Sequence, residues 1–487
     1  MIRMMVPLLV ALILIGPALA DDEADDLKQA LALQKVMQKA IRDVEPSIAC
    51  ILVSRSDAYQ RMRQGPAQTI PGKLGGFNPK SIDLLNQDLA RKLNLADDNV
   101  IPEAFGSGVV IDAKGLILTN YHVVRDATKV FVRLPGNKSS YADIKAADPR
   151  SDLAVLEMLT NHPGLKAITL GDARMCARGQ FVLSIANPFA AGFRDGQPSA
   201  SWGILSNIRR RVPRQPVAEK DLPRTLQQYG ILLQTDARLN LGCSGGALIN
   251  LQGEMIGLTT ALAAIHGGET PGGFALPIDA SMARIIDVLK RGEEVDYGFL
   301  GVEPDREAGH KGVVISVIPG SPAGKKLQNR DRILKVNGMA VRELDDLFLA
   351  LGTQLAGSKI TLQVSRFNQI MEVKDVELAK FYVPAKGIVS STGPRPFFRG
   401  LRADYTSLLV QQQRRQPILP GILVSDVQPN SPAAKVELKA GDIITKVKGR
   451  PIFTPADFYR EVAGAQGPVE VTLHSANFPP PKVTLSP

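Results

Sequence analysis

One glycine-rich stretch, Leu241-Gly242-Cys243-Ser244-Gly245-Gly246, runs directly into the apolar residues Ala247-Leu248-Ile249. A serine hydroxyl becomes a good nucleophile only when a base takes its proton and N–H groups hold the oxyanion that forms. The glycines around Ser244 allow a tight turn that exposes Oγ and points neighbouring N–H groups at one spot. Taken alone, the stretch is open to a second interpretation, because a glycine-rich segment before a strand is often only a turn.

Two upstream segments supply the partners that such a serine needs. Leu118-Thr119-Asn120-Tyr121-His122-Val123-Val124 puts a histidine at the end of an apolar strand, and Asp148-Pro149-Arg150-Ser151-Asp152 puts an aspartate just before another. Histidine, aspartate and serine therefore follow one another in the chymotrypsin-type order. Together with Gln234-Thr235-Asp236-Ala237, these motifs resemble the HtrA/Deg family of trypsin-like serine proteases, over nearly the whole chain after the first 20 residues.

The resemblance implies a mainly β protein, with a chymotrypsin-like double β-barrel in residues 21–293 and an ATP-independent endopeptidase activity on unfolded or damaged envelope proteins. It makes His122 the general base and then the general acid, Asp152 the residue that orients it, and Ser244 the nucleophile. The backbone N–H groups of Gly242 and Ser244 would form the oxyanion hole. The substrate pocket would be lined by Thr259, Thr260, Ala261, Leu262 and Ala263, which suit a small aliphatic P1 side chain.

The first 20 residues read as a secretory signal. Arg3 gives a positive start, Val6 to Ile15 a short apolar core, and Ala18-Leu19-Ala20 a cleavage site. A membrane anchor is the alternative, but the apolar run is too short to span a bilayer. We expect an exported, soluble mature protein without a transmembrane segment, in the periplasm or cell envelope or secreted.

The segment between the leader and the barrels has three parts. Apolar residues recur at helical spacing over residues 24–45, and Ser47 to Val53 reads as the first strand. Residues 54–104 form an insertion at the place of the family's regulatory loop, and a solvated loop is the equal alternative. In the family the segment before the barrel helps to build a trimer, so the resemblance implies a homo-oligomer, a trimer or multiples of it.

An internal repeat follows the barrels. Gly312 to Ala323 is echoed by Gly421 to Ala433, at an offset of about one domain length. Both copies resemble PDZ domains, predicted at residues 297–381 and 397–487 with a Pro/Gly-containing linker at 382–396. PDZ domains add a peptide strand to a sheet edge and hold its C-terminal carboxylate on backbone N–H groups.

The two copies differ in the loop that would hold this carboxylate. The first copy has Phe299-Leu300-Gly301-Val302, which matches the family and predicts binding of free apolar C-termini. The second has Phe398-Arg399-Gly400-Leu401, with a charged residue where an apolar one is expected. We therefore expect the second domain to bind the same peptides more weakly.

The amino-acid composition limits the classes of partner that the protein is expected to bind. The 58 basic and 48 acidic residues give a net charge of +10, which favours anionic surfaces or acidic substrates without implying nucleic acid. No phosphate loop and no metal-ligand spacing occurs, so neither a cofactor nor a metal is indicated. The basic loop around residues 209–224 is interpreted as a solvated face, with an anionic docking patch as the alternative. Three cysteines allow at most one intrachain disulfide.

One departure from the family supports a competing function. Cys243 stands where an asparagine usually precedes the nucleophile, and a thiol forms only weak hydrogen bonds. A partly ordered oxyanion hole would leave a catalytically weak chaperone or PDZ scaffold. In that case Cys243→Asn would raise turnover about tenfold, if the hole is formed in one molecule in about ten, unless neighbouring groups already compensate. The Cys243 side chain is expected to face inward, and Arg238 leaves an acidic P1 residue as a minor alternative.

Overall fold

The structure is a computed structural model. It describes residues 18–55, 94–97, 104–210, 225–229, 231–260, 272–305, 312–383, 387–392, 395–413, 417–475 and 479–487. Most of the predicted signal sequence, nearly all of the insertion at 54–104 and most of the basic loop at 209–224 lie outside the described residues, and so do pocket positions Ala261, Leu262 and Ala263.

The first barrel closes from six antiparallel strands. Their order is β5-β4-β1-β2-β3-β6, and β5 pairs with β6 to complete the ring. Its interior is filled by branched apolar side chains such as Ile51, Val110 and Ile117. Because side chains point alternately to the two faces of a strand, every second residue faces the barrel interior. The strands are β1 Ile48–Ser54, β2 Ala104–Asp112, β3 Leu116–Asn120, β4 Lys129–Leu134, β5 Lys138–Asp148 and β6 Leu153–Met158.

The second barrel has the same construction and supplies the nucleophile turn. Its closed order is β10-β11-β12-β9-β8-β7. The predicted glycine-rich turn runs into β10, the apolar strand of the opening motif. The strands are β7 Phe181–Ala186, β8 Ser199–Arg210, β9 Leu232–Thr235, β10 Ala247–Ile249, β11 Met255–Thr260 and β12 Gly273–Pro277.

Helices flank the barrels. The amphipathic helix α1, Ala18–Val44, packs Ala40 and Val44 into the main core, and α2, Tyr121–Val124, carries the candidate histidine. The closing helix α3, Ala280–Lys290, begins where the Asp279 side chain accepts from the backbone N–H groups of Ser281 and Met282. Short 3-10 turns lie at Glu45–Ser47, Ala173–Met175, Pro188–Ala190, Leu226–Tyr229 and Ala323–Lys325.

The internal repeat folds into two similar sheets, β14-β15-β16-β18-β19 and β22-β23-β24-β26-β27, each with one extra short strand. The first copy comprises β13 Gly298–Phe299, β14 Val302–Pro304, β15 Val313–Val317, β16 Arg332–Val336, β17 Met339–Ala340, α4 Leu344–Gly352, β18 Lys359–Arg366, β19 Gln369–Glu377 and β20 Ala379–Lys380. Between the copies lies β21 Val389–Ser390. The second copy comprises β22 Leu401–Tyr405, α5 Ser407–Gln413, β23 Ile422–Val427, α6 Pro432–Lys435, β24 Ile443–Val447, β25 Arg450–Pro451, α7 Pro455–Val462, β26 Val469–Leu473 and β27 Lys482–Leu485.

The predicted linker contains a strand that the sequence did not indicate. In β21, Val389 pairs with Ala147 and Ser390 with Ala146 of the first barrel. Strand β4 pairs with β5 only as far as Ala142, so the continuation of β5 toward Asp148 has an open edge. The linker satisfies that edge, and therefore returns to the protease barrel between the two copies.

Among the described helices, none combines the length and the apolar character needed to cross a bilayer.

Candidate active site

The register between β3 and β6 brings the candidate histidine and aspartate together. Asn120 at the end of β3 pairs with Leu153 at the start of β6, so the residues just beyond the ladder are His122 and Asp152. The backbone N–H of Tyr121 also donates to the Asp152 carbonyl at 3.0 Å. The sequence motifs therefore meet because the antiparallel pairing of β3 with β6, which are not consecutive strands, places one beside the other.

His122 and Asp152 form a close pair. The ring Nδ1 lies 2.8 Å from Asp152 Oδ2 and 3.1 Å from Oδ1, and the backbone N–H of His122 donates to Oδ1 at 3.0 Å. Asp152 adopts φ 59°, a left-handed conformation that a side chain other than glycine adopts at a cost. The buried Nε2 of His122 has no hydrogen-bond partner within the described part of the chain. With Nδ1–H donated to the carboxylate, Nε2 is the nitrogen left to accept a proton.

Two amides that the triad motif does not include complete the aspartate's surroundings. Asn120 Nδ2 lies 3.2 Å from Asp152 Oδ2, and Gln227 Nε2 lies 2.8 Å from the same oxygen. Both amide residues are buried, at 0% and 4% exposed. Asn120 belongs to the quoted histidine motif, whereas Gln227 stands in a segment without any recognised motif, so no local signal could have found it.

Ser244 lies at the seam between the barrels. A Cβ added to Gly106 would be 2.6 Å from Val123 Cγ1 and 3.3 Å from the Ser244 carbonyl oxygen, so the helix that carries His122 and the nucleophile turn meet across one glycine. Ser244 as a whole residue is 5% exposed. The turn is pressed against β2, where the backbone N–H of Ser107 donates to the Ser244 carbonyl at 2.8 Å.

The loop before the serine is held by side chains other than that of residue 243. Ser107 Oγ donates to the Gly242 carbonyl at 2.8 Å, and Thr259 Oγ1 donates to the Cys243 carbonyl at 2.5 Å. Gly242 adopts φ 93°, and a Cβ there would be 2.6 Å from the Asn187 carbonyl oxygen, so only glycine fits. Neither anchor was predicted from the sequence.

Cys243 points into the protein, as predicted, with 3% of its surface exposed. Its Sγ accepts from the backbone N–H of Asn240 at 3.3 Å, and burial raises the pKa of the thiol. A buried thiol with a raised pKa is a poor nucleophile. Cys50, Cys176 and Cys243 are all free, so they form no disulfide.

The candidate substrate pocket is only partly described. Thr259 is fully buried and directs its hydroxyl to the nucleophile turn. Thr260 is 1% exposed and its hydroxyl has no partner within the described residues. Arg238 is exposed, and its carbonyl oxygen accepts from Ser201 Oγ. Within the described ranges, no cluster of three or more histidine, cysteine or acidic side chains could hold a metal ion.

The two candidate carboxylate loops have the same backbone design. In the first, the carbonyls of Leu300 and Gly301 accept from Ala323 and Ile318. In the second, the carbonyls of Arg399 and Gly400 accept from Ala433 and Gln428. Both glycines have positive φ, 81° and 86°.

The charged residue of the second loop forms hydrogen bonds within its own domain. The Arg399 guanidinium donates to the carbonyls of Ala465, Gly467 and Leu485. It thereby ties the loop to the last strand, and the backbone conformation of the loop is retained.

Comparison with known proteins gives consistent matches. The trypsin-like peptidase domain family matches residues 106–258, and the PDZ domain family matches residues 298–378 and 423–474. The periplasmic serine endoprotease DegP of Salmonella typhimurium is 33% identical over 364 residues, which cover 72% of this chain and 70% of that protein. DegP of Escherichia coli K12 is 33% identical over 356 residues, covering 70% and 68%.

Solved structures resemble the chain over much of its length. The HtrA-type protease AlgW with tripeptide aligns with a TM-score of 0.47 and 23% identity, covering 74% of this chain and 99% of that one. The serine endoprotease from Yersinia pestis aligns with a TM-score of 0.43 and 23% identity, covering 71% and 98%.

Proposed function

This chain belongs to the HtrA/DegP family of serine endoproteases, and we propose that it cleaves peptide bonds with His122, Asp152 and Ser244. The observation that carries the proposal is the His122–Asp152 pair, with Nδ1 2.8 Å from the carboxylate and Nε2 left without a partner in the described chain. It is supported by the turn of Ser244, which packs across Gly106 from the helix of His122.

Each group then has a distinct role. His122 Nε2 takes the proton of Ser244 Oγ as that oxygen bonds to the substrate carbonyl carbon, and Asp152 stabilises the imidazolium that forms. The N–H groups of Gly242 and Ser244 hold the oxyanion. When the C–N bond breaks, the imidazolium gives its proton to the leaving amine. Water then enters, His122 takes a proton from it, and the acyl group leaves as a carboxylic acid while Ser244 regains its proton.

Cys243 and the altered loop of the second PDZ domain favoured the alternative of a catalytically weak chaperone or scaffold, and of these two features only Cys243 bears on catalysis. The loop that would form the oxyanion hole is anchored through the carbonyls of Gly242 and Cys243, by Ser107 and Thr259. These hydrogen bonds do not involve the Cys243 side chain, so the cysteine gives no reason to expect a disordered hole. The protease is therefore the function that the site supports best.

The finer assignments extend the family relation to this chain. The relatives named above are periplasmic endoproteases, and we place this chain in the same compartment, reached by the leader in residues 1–20, with unfolded or damaged envelope proteins as substrates. The mature protein would comprise a protease domain at 21–293 and PDZ domains at 297–381 and 397–487, of which the first binds peptide C-termini. The same relation includes a homo-oligomer.

An exposed aromatic pair supports the oligomer. The rings of Phe181 and Trp202 lie 6.0 Å apart on the second barrel, and these residues are 38% and 61% exposed. Large aromatic side chains left on a surface are typical of protein interfaces. We propose that this pair is covered by another copy of the chain.

Cleavage of unfolded casein by the purified full-length chain tests the function. Ser244→Ala should abolish cleavage and keep the fold, while Ser199→Ala, an exposed serine of the same barrel, should cleave like the parent. Activity should fall as the pH is lowered, because protonation of His122 removes the general base. Equal cleavage by the Ser244→Ala protein would reject the triad.

The same digests test the pocket. Mass spectrometry should find cuts after Val, Ala or Ile, because the proposed pocket, Thr259 to Ala263, contains no acidic residue to pair a basic P1 side chain. Most cuts after Lys or Arg would overturn this specificity.

A further inference from the structure

The carboxylate of Asp152 has a third side-chain partner besides His122 and Asn120. Gln227 Nε2 donates to Asp152 Oδ2 at 2.8 Å, the same distance at which His122 Nδ1 meets that oxygen. Asn120 is more distant, at 3.2 Å. Gln227 is 4% exposed, so water does not compete freely for its amide. A hydrogen bond to a buried charged group is among the stronger ones in a protein.

The segment that carries Gln227 is fixed from two sides. The backbone N–H of Leu226 donates to the Arg150 carbonyl at 2.9 Å, two residues before Asp152. Leu226 is fully buried, and a Cβ added to Gly352, at the end of α4, would be 3.2 Å from Leu226 Cδ2 and 3.2 Å from an Arg150 guanidinium nitrogen. The turn therefore lies between the loop of the aspartate and the helix of the first PDZ domain.

The other side of the same loop is equally constrained. The Arg150 guanidinium lies 4.6 Å from the Tyr297 ring centre and 4.5 Å from that of Phe381, the residues that flank the first PDZ domain. The Tyr297 hydroxyl donates to the Asp148 carboxylate. Asp152 thus sits in a loop whose backbone is clamped, and its side-chain rotation is the freedom that remains.

We propose that Gln227 is a positioning residue of the catalytic triad, which fixes the rotation of the Asp152 carboxylate through the hydrogen bond to Oδ2. The proposal rests on the triad assigned above. The backbone N–H of His122 holds Oδ1, and Gln227 holds Oδ2. Because both oxygens are held, the orientation of the carboxylate plane relative to His122 Nδ1 is fixed. Without Gln227, Oδ2 would keep only the imidazole and the longer contact to Asn120.

The amide also moderates the charge that His122 experiences. A donor on Oδ2 draws negative charge away from the imidazole, so its loss strengthens the attraction between the carboxylate and the imidazolium. The titration of His122 should then move to higher pH. Among the described residues, Arg55 donates to the His122 carbonyl, Tyr121 interacts electrostatically with Asp152, Arg125 and Asp126, and Asp148 and Arg150 belong to the loop that precedes Asp152. None of these groups is changed by the variants.

The test substitutes Gln227 in the full-length chain. Gln227→Met keeps the length of the side chain but has no N–H donor, and Gln227→Glu puts a second carboxyl beside Asp152. The matched control is Gln354→Met, which removes a buried amide whose Nε2 donates to the Ala350 carbonyl at 3.1 Å in the first PDZ domain. Kinetics use a fluorogenic peptide taken from a casein cut site. The His122 ring is titrated by NMR with labelled histidine in the Ser244→Ala background, and His122→Gln assigns its signal among the five histidines.

We expect Gln227→Met to lower kcat about tenfold (about 1.4 kcal/mol) with KM unchanged. The His122 titration midpoint should rise in Gln227→Met and rise by about one pH unit in Gln227→Glu, because a second negative charge favours the imidazolium. Gln354→Met should change none of these values. If Gln227→Met does not fold, Gln227→Asn, whose amide falls short of Oδ2, should give smaller changes in the same direction.

A parental kcat, KM and titration midpoint in a folded Gln227→Met protein would overturn the proposal, even if its melting temperature falls. A parent protein that does not cleave would reject the proposed function instead. The titration would still decide whether Gln227 acts on the Asp152–His122 pair, so the two failures remain distinguishable.

Discussion

Ser107→Ala probes the anchor between the barrels. Ser107 is fully buried in β2 of the first barrel, and its hydroxyl binds two groups of the second barrel. It donates to the Gly242 carbonyl at 2.8 Å and accepts from the backbone N–H of Asn187 at 2.8 Å. Alanine removes only this oxygen, and the backbone bond from Ser107 to the Ser244 carbonyl persists.

The loss of stability follows from the two backbone groups that lose their partner, the Gly242 carbonyl and the Asn187 N–H. A buried N–H or C=O without a partner costs about 1–3 kcal/mol, so two of them cost about 4 kcal/mol in the middle of the range. For a domain of this size that corresponds to a fall in Tm of about 8–16 °C. Loss of an oxyanion donor costs about 2.7–4 kcal/mol, and a loosened donor should cost less. We therefore expect kcat to fall about tenfold with KM within about twofold.

Ser140→Ala is the matched control. Ser140 is also buried, donates to the Tyr141 carbonyl at 2.7 Å and accepts from the Thr160 backbone at 2.8 Å, on a strand that carries none of the proposed catalytic groups. Calorimetry and peptide kinetics are measured for both variants. The Tm of both variants should be lower than that of the parent, and only Ser107→Ala should have a lower kcat. A kcat equal to that of Ser140→Ala would refute the role of Ser107 in the oxyanion loop.

Three further predictions address the turn, the first PDZ domain and the second. Cys243→Asn should leave kcat within about twofold, because Ser107 and Thr259 already anchor the loop, and a tenfold rise would instead indicate a partly ordered hole. The full-length Ser244→Ala protein should bind peptides with a free apolar C-terminus more tightly than amidated ones in fluorescence titrations, and equal affinities would contradict carboxylate capture at Phe299 to Val302. Burial raises the pKa of Tyr405 to about 12, above the ordinary value of about 10, so its stabilising contribution is complete below about pH 10 and is lost as pH rises toward 12. Between these pH values, the free energy of unfolding of the parent should therefore fall by up to about 3 kcal/mol more than that of Tyr405→Phe. Equal falls for the two proteins in urea unfolding would show that Tyr405 does not contribute.

The sequence predicted those parts of the fold that have a local period. Apolar runs with turn residues between them indicated the hairpin that became β2 and β3, and helical spacing indicated the helix that ends at Val44. The hairpin and the helix depend on residues within a few positions of each other, which is why a single sequence contains them. The double barrel was instead implied by the family resemblance, which rests on the motifs of His122, Asp152 and Ser244 together.

The misses are contacts between distant segments. Gln227 meets Asp152 across 75 positions, and Ser107 meets Gly242 across 135. Strand β21 was hidden because two residues are too short for any periodicity, and its partner is an open edge that exists only after the barrel has closed. Arg399 looked incompatible with a carboxylate loop because the three carbonyls that bind it are 66 to 86 positions away.

These contacts between segments that are distant along the chain also explain how the site is made rigid. His122 and Asp152 come from the first barrel, but Gln227, which binds the aspartate, lies in the connection between β8 and β9 of the second. Ser244 comes from the second barrel, but Ser107, which holds its loop, lies in β2 of the first. Each half of the proposed machinery is thus fixed by a side chain from the other half. Because neither barrel alone supplies a fixed donor set, the groups reach their relative positions only when the two barrels are docked. A slight separation of the barrels should therefore impair catalysis before it unfolds either one.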